Sequence, residues 1–178
     1  MRQSPAVIAI DGAGGAGKST LSEALVRLLP SVAVVRVDDF YRPLHDDVRA
    51  SLDAEHGYLN YFDWERLRSS ALEPLRADER ARYQAYDWST GCLGQWVEVD
   101  PATVVIVDGV YSLRPELQGL LDLRIFVDTP RNLRLERMLA RGQNETDWIG
   151  RWMAAEDWYF ERVRPAASAD LIVNGSER

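Results

Sequence analysis

The stretch AVIAIDGAGGAGKSTLSEALVRL, residues 6–28, constrains this chain more than any other. A β-branched apolar run ends in Asp-Gly, a glycine-rich loop follows, and a helical pattern begins at Lys18. The loop fits Gly-x-x-x-x-Gly-Lys-Ser in full, with Gly12, Gly17, Lys18 and Ser19 at the defining positions. Glycines let backbone N–H groups turn toward phosphate oxygens, and a helix N-terminus adds the positive end of its dipole. Gly12, Ala13, Gly14, Gly15, Ala16, Gly17, Lys18, Ser19 and Thr20 are therefore the expected contacts to the phosphates of ATP. Lys18 would reach the β- and γ-phosphates, and Ser19 would ligate Mg²⁺. Of the 21 basic residues, Lys18 is the only lysine. A compact ammonium fits inside a loop wrapped around phosphates, where a planar guanidinium does not.

Four further apolar runs end in polar or glycine signals: Val32–Asp39, Thr103–Gly109, Leu123–Thr129 and Ala169–Gly175. They are near-continuous rather than alternating, as strands of a parallel sheet buried on both faces are. Helical patterns lie between them at Lys18–Leu29, Trp64–Ala77, Pro130–Arg141 and Asn144–Arg164. The alternation predicts an α/β fold with right-handed crossovers, its ligand beyond the carboxyl ends of the strands. Those ends carry Asp11, Asp38, Asp39, Asp108 and Asp128.

Length and composition narrow the class. At 178 residues the chain is one domain, expected to run from residue 1 to 178. Its net charge of −7 argues against a nucleic-acid polymer or an anionic membrane as partner. The single cysteine, Cys92, excludes an internal disulfide and a cysteine-built zinc site. No signal peptide and no run of about 20 apolar residues is visible, so a cytoplasmic location and no membrane contact are expected. One lysine cannot also serve the Asn-Lys-x-Asp motif of guanine-specific GTPases, and no transporter LSGGQ signature is present. Small P-loop kinases remain.

Such a kinase needs a second metal-side residue and an acceptor-side base. Asp108, closing VVIVDG, is placed to hold Mg²⁺ directly or through water. In RVDDFYRP, continued strand alternation would send Asp38 and Asp39 to opposite sides, one of them facing the phosphate loop. The other would be a cap or turn residue, a role expected of Asp39.

With these residues in view, the chain resembles the uridine kinase-like family of P-loop nucleoside kinases. The segments GAGGAGKST, VDDFYRP, NYFDWERL, RYQAYDW, VVIVDGVYSL, LRIFVDTPRNLRLERMLAR and ADLIVNG follow the family order from about Val7 to Gly175. The resemblance implies a three-layer sandwich: a five-stranded parallel sheet in the order 2-3-1-4-5, helices on both faces, and a short helical lid. It implies Asp38 as base for the nucleoside hydroxyl, Tyr41 lining the acceptor pocket, Asp63 on the ribose hydroxyls, and Tyr86 and Trp88 around the base. Asp108 stands where glutamate is usual, and Asp39 where serine is usual. The histidine that reads a pyrimidine edge is absent; Ser89, Thr90 and Gly91 occupy that place. The IDG start is also similar to cytidylate kinases, whose acceptor is a phosphate.

An acceptor-binding insertion is expected over about 40–102 and a lid over about 134–152. Arg134, Arg137 and Arg141 share one helical face. Arg137 and Arg141, nearest the RGQNE break, are the expected catalytic clamp beside Lys18 and Asp38, with Gly142 as a hinge and Leu135 and Leu139 packed on the sheet. Trp148, Trp152, Ala155 and Tyr159 form a stripe read as core packing. The insertion shows only helical or irregular signals. Two function classes follow. One is a kinase acting on a nucleoside-like small molecule, with a nucleoside monophosphate or non-nucleoside acceptor as its rival. The other is a non-catalytic ATP-sensing module. Self-association into a homo-oligomer is left open.

Overall fold

The computed structural model describes residues 4–142 and 146–176. In chain order the elements are β1 (Ala6–Asp11), α1 (Lys18–Leu28), β2 (Val32–Arg36), a 3₁₀ turn (Val37–Phe40), α2 (Asp46–Ser51), α3 (Ala54–Asn60) and α4 (Trp64–Leu67). A π-helical stretch (Arg68–Leu72) carries α4 into α5 (Glu73–Arg76). Then come β3 (Ala81–Asp87), β4 (Cys92–Val99), β5 (Val104–Asp108), a 3₁₀ helix (Pro115–Leu120), β6 (Leu123–Asp128), α6 (Arg131–Arg141), α7 (Thr146–Arg162), α8 (Pro165–Ser168) and β7 (Leu171–Asn174).

The five apolar runs are the five strands of one parallel sheet, ordered β2-β5-β1-β6-β7. Counted within that sheet alone, this is the expected 2-3-1-4-5. Strand side chains go alternately to two faces. Val7, Ala9, Val35, Val105 and Val107 join the larger core with Tyr58, Leu67, Leu72, Ala155 and Tyr159. Ile10, Ile106, Ile125 and Val127 meet Leu21 and Leu25 of α1 on the other. Both faces are therefore covered, which is why the strands read as continuous apolar runs.

Three local expectations change. The insertion is not purely helical or irregular, because β3 and β4 pair antiparallel, with a register shift between Gln84 and Tyr86. Their outer positions carry Arg, Gln and Glu, which hides the strand period. The helix expected over Trp64–Ala77 changes pitch just before Pro74; proline has no N–H for the turn behind it, and a π-helical stretch absorbs the mismatch. Asp38 and Asp39 lie in a 3₁₀ turn, not in extended strand.

Candidate active site

The loop between β1 and α1 is held from outside. Arg137 Nη1 donates to the carbonyls of Gly15 (3.2 Å), Ala16 (3.5 Å) and Gly175 (2.9 Å). Thr129 Oγ1 donates to the Ala16 carbonyl at 2.9 Å. A side chain at Gly15 would put its Cβ 2.7 Å from the Arg134 carbonyl, and one at Gly175 would collide with Thr129 Oγ1 and the Ala16 carbonyl. Gly12, Gly15 and Gly17 adopt φ of 141°, 76° and 106°, which glycine alone adopts freely. Gly17 is the N-cap of α1 and no side chain caps the helix, so its dipole end is left for a ligand. The Lys18 ammonium folds back onto the Ala13 carbonyl at 3.0 Å.

One cavity of about 630 Å³ runs from this loop across the sheet's carboxyl edge. Gly14, Gly15, Lys18, Ser19, Asp38 and Asp108 are among the residues that line it. The rings of Tyr61, Phe62, Trp88, Tyr111 and Trp152 line it too. Asp108 is buried; desolvation raises its pKa, against the pull of the Lys18 charge and a hydrogen bond with Ser19. Its Oδ1 has no hydrogen-bond partner. A buried, unpartnered carboxylate oxygen beside a hydroxyl and a lysine fits Mg²⁺, which keeps most of its waters and takes one or two protein ligands. The two adjacent aspartates part company in the 3₁₀ turn. Asp38 faces the cavity, while Asp39 Oδ2 accepts from the Tyr83 hydroxyl at 3.1 Å, and burial raises its pKa.

Several expected site residues have other partners here. Tyr41 is fully buried among Tyr61, Phe62, Tyr86 and Trp88, behind the cavity wall rather than on it. Tyr86 packs edge-on against Trp88, and its hydroxyl accepts from Arg49 at 3.3 Å. Asp63 caps α4 by accepting from the Arg66 N–H at 3.1 Å and pairs with Arg42 at 3.6 Å, so it too stands off the cavity. Only Trp88 of the aromatics assigned to the base reaches the lining.

The arginines of α6 have partners of their own. Arg137 donates to the loop's carbonyls. Arg134 is buried, donating to the Thr129 carbonyl at 3.0 Å and facing Glu156 at 3.6 Å. The side chain of Arg141 lies outside the described residues. Leu139 is exposed, because Arg134 and Met138 take the inward face of α6. Trp152 lines the cavity, whereas Ala155 and Tyr159 are core as expected.

Glu156 was not foreseen. It lines the cavity from α7 and accepts the Gly14 N–H at 2.9 Å. The sequence held a signal for it: Ile149, Met153 and Glu156 fall at i, i+4 and i+7, a second buried stripe with a carboxylate in it.

A profile of the phosphoribulokinase/uridine kinase family matches residues 7–175. A uridine kinase of Leuconostoc citreum is 33% identical over 172 residues, covering 90% of this chain and 79% of that protein. One of Clostridium perfringens is 30% identical over 167 residues, covering 90% and 78%. In three dimensions a possible uridine kinase from Bacillus stearothermophilus superposes with a TM-score of 0.74 at 23% identity, over 98% of this chain and 91% of that one. The helix-flanked sheet, the clamped phosphate loop and the match over nearly all of the chain have one meaning: this is a P-loop small-molecule kinase of the phosphoribulokinase/uridine kinase family.

Proposed function

We propose that the chain moves the γ-phosphoryl group of ATP to a hydroxyl of a flat-ringed, nucleoside-like small molecule. The observation that supports this best is that Asp38, Lys18, Ser19 and Asp108 share one cavity with a wall of aromatic rings. Loop amides and Lys18 hold the β- and γ-phosphates. Ser19 and Asp108 hold Mg²⁺, which when bound neutralises developing phosphate charge. Asp38 accepts the acceptor's hydroxyl proton as that oxygen bonds to phosphorus and the bond to the ADP oxygen breaks. Rings of Trp88, Phe62, Tyr61 and Trp152 present apolar faces suited to a planar group. No histidine stands where a pyrimidine edge would be read, so the ring is sensed by stacking and shape.

A phosphorylated acceptor is the second reading. Arg36 favours it, because this exposed cation lines the same cavity as Asp38. The test is an ATP-consumption screen over nucleosides, nucleoside monophosphates and small sugars, run with the wild type and Asp38→Asn. Turnover with one nucleoside, lost in the variant, supports the kinase reading. Turnover only with monophosphates moves the assignment to the second. ATP binding without turnover on any acceptor would leave a sensing module.

A further inference from the structure

Glu156 reaches the phosphate loop from α7, 142 residues along the chain from its partner. Its Oε1 accepts the Gly14 N–H, fixing the backbone of the loop at that point. Its Oε2 is buried with no hydrogen-bond partner. The side chain is 6% exposed, yet it lines the cavity that holds Lys18. The charged and titratable groups that face it are Lys18 from α1, Arg134 from α6, Asp157 on its own helix and Tyr111 after β5. Arg134 approaches only to 3.6 Å and is shared with Asp157 at 3.8 Å, so Glu156 is not neutralised by a close pair.

The geometry points to Glu156 as a positioning residue of the phosphate loop: it holds the Gly14 amide before nucleotide binds, and it takes up a proton from solvent when the phosphates arrive beside it. This rests on the reading of the loop as an ATP cradle. A triphosphate entering next to a buried carboxylate puts like charges together in a poorly hydrated site. Displacing the carboxylate would leave it buried and unpaired, which is costly. Protonating it removes the repulsion, and Oε1 can keep the Gly14 bond.

Burial already raises the Glu156 pKa to about 7, against the pull of Lys18, the Gly14 N–H and Arg134. Little further rise is then needed for binding to draw in a proton near neutrality. If only the protonated form accepts ATP, affinity should fall about tenfold between pH 6 and pH 8.

The experiment is calorimetric titration with ATP and magnesium at pH 6, 7 and 8, in buffers of different ionisation enthalpy, on the wild type and Glu156→Gln. Glutamine keeps an acceptor for Gly14 and removes the charge. The nucleotide's own titration is common to both proteins, so their difference reports Glu156. The expected result is net proton uptake near pH 7 and the tenfold loss in the wild type, with both abolished in the variant to within about twofold. Equal pH profiles in the two proteins, with ATP still bound, overturn the role of Glu156 and leave the cradle standing. Equal net proton exchange in the wild type and Glu156→Gln on ATP binding overturns it as well. Failure of the wild type to bind ATP at any pH overturns both.

Discussion

The Tyr159 hydroxyl donates to Asp11 Oδ2 at 2.7 Å, joining the long helix α7 to the end of β1 across 148 positions. Asp11 is fully buried and also accepts from the N–H groups of Gly12 (2.6 Å), Tyr111 (3.1 Å) and Leu113 (2.9 Å). One carboxylate thus ties the start of the phosphate loop to the turn after β5, where Tyr111 sits at a φ of 69°. Tyr159→Phe keeps the ring and removes one charged hydrogen bond, a loss of about 1.5–3 kcal/mol. At roughly 2–4 °C per kcal/mol for a domain of this size, thermal unfolding should shift down by about 3–12 °C. A melt unchanged within error would show that the bond contributes nothing net.

Arg137 distinguishes a brace from a clamp. Its guanidinium serves three carbonyls at the loop and at Gly175. Arg137→Ala should lower the melting temperature by several degrees and raise the KM for ATP. A clamp on the transferring group would instead lower kcat by about 10³-fold with the melt unchanged. Steady-state kinetics and a thermal melt on one preparation separate the two.

Trp88 is half exposed and lines the cavity wall together with Tyr61 and Phe62 of the insertion. Trp88→Ala should raise the acceptor's KM at least about tenfold, the scale of one lost base–ring stack. Its affinity for ATP, measured without acceptor, should stay within twofold.

Glu156 predicts a pH dependence of stability with a definite sign. Its pKa is raised on folding from 4.5 to about 7, so the native chain holds a proton that the unfolded chain releases. The stability due to this group is fully present below about pH 4.5 and is lost as pH rises to about 7. Glu156→Gln should therefore unfold at the same temperature as the wild type at low pH and at a higher temperature at pH 8. Asp11, Asp39 and Asp108 are raised too, but they are common to both proteins and cancel in the comparison. Parallel melting curves from pH 5 to 8 would contradict the burial argument.

Lys18→Ala should weaken ATP binding by at least about tenfold, since a compact cation at the phosphates has no substitute elsewhere in the chain. Calorimetry with ATP and magnesium checks this directly, and an unchanged affinity would remove Lys18 from the site.

The sequence by itself determined the sheet, its strand order through the family resemblance, the phosphate loop, Lys18, and the Asp38 and Asp108 positions. Each of these depends on residues close in sequence: continuous apolar runs, glycines where φ must be positive, a lysine at a helix start. Tertiary structure alone decided the partners. That Arg137 reaches the loop's carbonyls, that Asp63 caps α4 and that Glu156 reaches Gly14 all depend on which side chains other elements bring alongside. Such contacts span up to 148 residues here, and no local period encodes them. The β3–β4 hairpin escaped for a related reason: one face is solvated and lined with charge, so its strands lack the apolar continuity that marked the buried ones.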